Sequence, residues 1–122
     1  IRIESNFNPL TVGSKGERGL GQLMENTAQP VAKNLGYEYD PKKLFEPQYN
    51  IELFMTQLKY LYEFYEQDIH KTLTAYNRGQ HGLEKYIASR KSTHRDPAMS
   101  EYSTKVIDYA VKYKEEFAYY KE

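Results

Sequence analysis

The 122-residue chain predicts a mainly α-helical domain with room for one small β-hairpin. Three observations carry this reading. Apolar residues recur at steps of three and four after Pro47 and again after Ser100, the period of a helix with one buried face. No segment alternates long enough to make a convincing strand. The stretch TVGSKGERGLG holds four glycines in eleven residues, which makes it a loop or a short hairpin.

Taken in order, Ile1 to Ser5 reads as the last turn of a helix, stopped by the polar run Ser5 to Asn8 and by Pro9. The chain starts inside that helix without an initiator Met, so we expect a domain excised from a longer protein, with any targeting signal outside it. QLMENTAQPVAKNLG predicts one or two short helices, with Asn26 or Thr27 as cap and Gly36 as stop. GYEYDPKKLFEP is turn-rich and connects. Beyond Pro47, Ile51, Phe54, Met55, Leu58, Leu61, Tyr62 and Tyr65 mark the apolar face of a central helix. A second helix, roughly Asp68 to Asn77, buries Ile69, Leu73 and Tyr76 and ends near Gly79, with a short helix around Leu83 to Ile87 after it. RKSTHRDPAMS is a polar loop. From about Ser100, the residues Tyr102, Val106, Tyr109, Ala110, Tyr113, Phe117 and Tyr120 form the stripe of a final helix.

Composition narrows the function. At 14.4 kDa, with 39% hydrophobic and 28% charged residues, residues 1–122 make one globular domain, and no apolar run is long enough to span a bilayer. Seventeen basic residues balance seventeen acidic ones, so no global field steers a polyanion, and no nucleic-acid partner is expected. Without cysteine there is no disulfide, thiolate nucleophile or thiolate metal site. His70, His81 and His94 lack metal-ligand spacing and are expected on the surface or in packing, so no metal or cofactor is implied. GSKGERGLG lacks the terminal GKS or GKT of a phosphate loop, and no strand leads into it.

The chemistry lies in three short stretches: ESNFNP at Glu4, GLGQLM from Gly19 to Met24, and AYNRG from Ala75 to Gly79. Each places polar groups at a helix end or a glycine turn, where backbone can approach a ligand. In this order, followed by YSTKVIDY, they resemble the catalytic domain of soluble lytic transglycosylases, a branch of the lysozyme superfamily related to goose-type lysozymes. The resemblance runs from Ile3 to about Tyr109. It implies a lysozyme-like fold of the α+β superfamily.

It further implies that Glu4 is the sole catalytic acid and base, with Ser5 beside it as a polar partner. Gln22 and Met24 would line the cleft, Tyr76 and Asn77 would face the sugar next to the scissile bond, and Tyr102 would hydrogen-bond or orient Glu4. The implied substrate is peptidoglycan, cut between N-acetylmuramic acid and N-acetylglucosamine. The implied place of action is outside the cytoplasm, in a cell envelope, secreted or on a virion, and a larger envelope or phage assembly could own the domain.

The residues around Glu4 support that role on their own terms. Ile1, Ile3 and Phe7 flank it, and desolvation by apolar neighbours favours the neutral carboxyl that a general acid needs. One acid suffices where the substrate's own N-acetyl group stabilises the cationic intermediate. Glu17, thirteen residues on, reads as a solvated turn residue beside Lys15 and Arg18; as a second catalytic carboxylate it would favour hydrolysis. Gln22, Tyr76 and Asn77 also have a packing or capping reading. Of the thirteen tyrosines, most lie on helical stripes, so Tyr62, Tyr109 and Tyr113 are expected in the core.

The pattern departs from the family in three places. The usual GLMQ is GLGQ, with Gly21 in place of a methionine that would wall the cleft. AYNAG is AYNRG, and Arg78 is expected to reach a carboxylate of the muramic lactyl group or stem peptide. Where the family has ET, four residues before Tyr102, this chain has Ala98 and Met99. The competing functions are hydrolysis on the same scaffold and a non-catalytic peptidoglycan-binding module.

Overall fold

The longest apolar face fixes the frame. In the computed structural model, which describes residues 1–90 and 96–121, helix α3 (Pro47–Phe64) turns Leu53, Phe54 and Leu61 inward. Its buried stripe differs from the expected one. Ile51, Met55 and Tyr62 are exposed, while Asn50 has no exposed surface at all. The helix is thus rotated so that a polar amide joins the apolar face, a placement that only its hydrogen bonds explain.

The other α-helices among the described residues are α1 (Arg2–Ser5), α2 (Glu25–Asn34), α4 (Ile69–Arg78), α5 (Gln80–Ser89) and α6 (Glu101–Lys121), with a 3-10 helix at Pro41–Phe45. The structure is mostly helical, as the sequence predicts. The expected hairpin is reduced to two isolated antiparallel bridges, Val12 with Arg18 and Arg18 with Leu23. The second bridge also corrects the start of α2: it holds the chain extended up to Met24, so Met24, not Asn26 or Thr27, is the cap, and it makes no side-chain capping bond. The turn-rich segment contains the 3-10 helix, capped by the Asp40 carboxylate accepting from Lys42 N.

Two compact units divide the chain, Ile1–Tyr60 and Leu61–Glu122. The first buries Leu20, Leu23, Ala28, Val31, Ala32, Leu44, Leu53 and Phe54. In the second, Leu61, Ala75, Leu83 and Ala98 form a core cluster on which Tyr65, Tyr76 and Ile87 pack. Helix α4 contacts both α5 and α6. Thr72, Leu73, Thr74 and Ala75 are its buried residues, and Ile69 is exposed, contrary to expectation. On α6, Tyr109 and Tyr113 stack with ring centres 6.1 Å apart, while Phe117 is exposed. Tyr62 is likewise exposed and belongs to no core. His94 lies outside the described residues, with the rest of residues 91–95 of the polar loop.

Candidate active site

Glu4 sits one residue from the end of α1, half-buried, on a helix of only four residues. A helix so short cannot hold itself. What fixes it is Ser5, which is buried and whose hydroxyl lies 2.8 Å from the carbonyl of Leu20 and 3.1 Å from that of Ile1. The next two residues, Asn6 and Phe7, both take left-handed backbone conformations, with φ of 50° and 63°. Left-handed φ is uncommon outside glycine and costs about 1–2 kcal/mol per residue. The chain therefore reverses abruptly after the carboxylate-bearing residue, and the tertiary contacts hold the strain.

The glycine-rich loop is built to receive this turn. Gly13 N donates to Glu17 O at 2.8 Å, and Arg18 and Leu23 exchange two backbone bonds at 3.0 and 3.1 Å. Between them the loop turns at Gly19 and at Gln22, with φ of 78° and 52°. The Gln22 amide donates to Thr11 O at 3.1 Å and Gly19 O at 2.9 Å. The Gln22 side-chain nitrogen thus braces the loop twice, and Oε1 packs beside Gly13. Met24 is half-buried at the start of α2. Glu17 folds back on its own turn, accepting from Lys15 N at 2.7 Å.

A residue that the sequence reading passed over organises the whole loop. Asn50, fully buried on α3, accepts from Gly21 N at 2.9 Å and donates to Arg18 O at 3.0 Å and Leu44 O at 2.9 Å. The only signal in the sequence is its position three and four residues before Leu53 and Phe54 on the same face. Close approach explains two glycines. A Cβ at Gly19 would stand 2.1 Å from Leu44 O, and one at Gly21 would stand 2.8 Å from Phe54 Cβ. Phe54 thus occupies the space that a side chain at position 21 would need, which is why the departure from GLMQ is tolerated.

In the second unit, Tyr76 and Asn77 lie on the last turn of α4, Tyr76 half-buried against the core cluster and Asn77 exposed. Gly79 ends the helix with φ of 80° and donates to Ala75 O at 2.7 Å. Arg78 carries its guanidinium over the Tyr86 ring at 4.5 Å. Tyr102 is half-buried on the first turn of α6. That turn is tied to α4: the Thr74 hydroxyl donates to Ala98 O at 2.7 Å and lies 2.9 Å from Ser100 Oγ. Ser100 and Ser103 cap α6 reciprocally, each side chain accepting the other's backbone N–H. Ala98 has no exposed surface, so the substitution in the ET position is filled by packing. His70 serves packing too, with Nδ1 2.8 Å from Ser103 Oγ, and His81 is exposed beside Glu84.

The geometry therefore brings Glu4, Ser5 and Gln22 into one hydrogen-bonded loop system, and Tyr76, Asn77 and Tyr102 onto α4 and α6. The sequence profile of the transglycosylase SLT domain matches residues 1–99. The chain belongs to the transglycosylase SLT domain family. A Haemophilus influenzae protein named for soluble lytic murein transglycosylases is 34% identical to this SLT domain over 88 residues, 71% of the chain and 15% of that protein. The crystal structure of the 70 kDa soluble lytic transglycosylase of Escherichia coli matches with a TM-score of 0.65 at 28% identity, covering 71% of this chain and 14% of that one. An inactive mutant of the lytic transglycosylase Slt from Pseudomonas aeruginosa matches the fold with a TM-score of 0.80 at 22% identity, over 96% of this chain and 20% of that one. The SLT domain thus spans about one seventh of the length of the curated relative.

Proposed function

We propose that this SLT domain is a peptidoglycan lytic transglycosylase that cleaves the β-1,4 bond between N-acetylmuramic acid and N-acetylglucosamine outside the cytoplasm, with Glu4 as its single acid and base. The observation that carries the reading is the pinning of Ser5, next to Glu4, to the carbonyl of Leu20 within the motif loop. Anchoring the residue next to Glu4 holds the backbone that presents the carboxyl while it gives and takes a proton.

In this reading protonated Glu4 gives its proton to the glycosidic oxygen as the bond to the muramic C1 breaks. The sugar's N-acetyl oxygen stabilises the cationic centre. The muramic 6-hydroxyl oxygen then bonds to C1, and its proton goes to the Glu4 carboxylate, which regenerates the acid. No water is consumed. Gln22 and Met24 contact the glycan, with Tyr76, Asn77 and Tyr102 as the substrate-side residues of the second unit.

The test is digestion of purified peptidoglycan by the native chain and by Glu4→Gln, with mass spectrometry of the released muropeptides. Native protein releases products one water lighter than hydrolytic ones, and Glu4→Gln releases at least about a thousandfold less. Reducing ends would instead identify a hydrolase and return attention to Glu17. Wall binding without release by either protein would leave a binding module.

A further inference from the structure

Arg78 and Arg90 sit over the same aromatic ring. Their guanidinium carbons lie 4.5 and 5.0 Å from the centre of Tyr86. The Tyr86 hydroxyl is fixed as well, donating to Met99 O at 3.1 Å and accepting from Arg90 Nη1. Each cation is attracted to the ring face, but two like charges around one ring repel each other. Among the described residues, neither guanidinium is paired with a carboxylate. Arg90 Nε is shielded from solvent with no hydrogen-bond acceptor. Two neighbouring cations with unused guanidinium donors are matched by an anion.

A cleft of about 440 Å³ opens beside Tyr86 and Arg90, lined also by Met99, Thr104 and Lys105 together with Ser100 and Glu101, with Arg78 over the same ring outside the lining. Glu101 is already neutralised by Lys105 at 2.9 Å, so the local balance stays positive through the arginines. The volume suits a small ligand, and Met99 and the Tyr86 ring supply apolar surface for its non-polar part. Guanidinium groups take carboxylates in two parallel hydrogen bonds, a geometry that an ammonium cannot copy.

We propose that Arg78, Tyr86 and Arg90 form a carboxylate-binding site for the muramyl side of the glycan. The ligand group is either the lactyl carboxylate or the free carboxylate of an attached peptide. This assignment rests on peptidoglycan being the substrate. N-acetylglucosamine carries no carboxylate, so the site tells the two sugars apart and sets which side of a strand is held.

The test follows the Tyr86 ring and arginine Nε signals of the native chain by NMR during titration with three soluble probes: N-acetylglucosamine, N-acetylmuramic acid and N-acetylmuramyl-L-alanyl-D-isoglutamine. At least one carboxylated probe shifts these signals and N-acetylglucosamine does not. Binding of N-acetylmuramic acid identifies the lactyl group; binding of the dipeptide alone identifies the peptide carboxylate. Arg78→Gln and Arg90→Gln each weaken binding about tenfold, Arg90→Lys restores part of it, and Lys33→Gln, an exposed lysine on α2 that does not line the cleft, leaves it unchanged. Circular dichroism confirms that each variant keeps its helices. Equal binding of all three probes, no binding of any, or wild-type affinity in both glutamine variants overturns the site. Muropeptide release is scored separately. A chain that releases anhydro products without selective binding loses only this site, and one that binds selectively without release loses only the transglycosylase reading.

Discussion

Ser5 anchors the four-residue helix that carries Glu4, because its hydroxyl ties that helix to the glycine-rich loop. Replacing it with alanine leaves the Leu20 carbonyl buried without that partner, at a cost of about 1–3 kcal/mol. Ser5→Ala should therefore lower the melting temperature by about 5 °C or more and reduce muropeptide release more than tenfold, while wall binding persists. A melting temperature and activity equal to native would remove Ser5 from the positioning role. Glu4, Gln22 and Asn77 could be named as candidates from the resemblance of their motifs to those of the family. Asn50 could not, because a buried amide is read only when its three backbone partners are known, and two of them, Gly21 and Arg18, lie 29 and 32 residues away in sequence.

Elements were legible where one physical rule dominated. Gly79 ends α4 as its positive φ requires, and α3 and α6 begin near Pro47 and Ser100 as the periodicity indicates. Boundaries failed where tertiary contacts overruled local preference, as when the Arg18–Leu23 bridge moved the cap of α2 back to Met24. The buried face of α3 was misread for a related reason: amphipathic tyrosines such as Tyr62 count as apolar in a pattern but can keep an edge in water. The packing of Phe54 against Gly21 gives a test at this scale. Gly21→Ala should destabilise the fold by about 1–3 kcal/mol through overpacking. Phe54→Ala removes the Cγ that would stand 2.9 Å from the new Cβ, so Gly21→Ala should cost less in that background, and a double-mutant cycle with zero coupling would refute the contact.

At the scale of the whole chain, titrating groups of the two units point to opposite edges of pH. In the first, the hydrogen bond to Glu52 and then burial raise Tyr37 above the ordinary tyrosine value of 10.0, and burial first of all raises Tyr39. Their contribution is present below that value and is lost as pH rises through the raised ones. In the second, the Lys105 ammonium beside Glu101 lowers its carboxyl below 4.5, so that contribution is present above 4.5 and is lost as pH falls through the lowered value. Melting temperatures across pH should show both edges, the alkaline one shallower in Tyr37→Phe and the acid one shallower in Glu101→Gln. Profiles that superpose on native would contradict the assignments. The dependence of the loop on Asn50 also has a consequence for the order in which the molecule is made. Glu4 leaves the ribosome before Asn50, and the loop that holds Ser5 receives its buried amide only from that residue, 29 positions after Gly21. A nascent chain that has not yet presented Asn50 carries its candidate acid on an unsecured turn, so the site is completed only after most of the first unit has been synthesised.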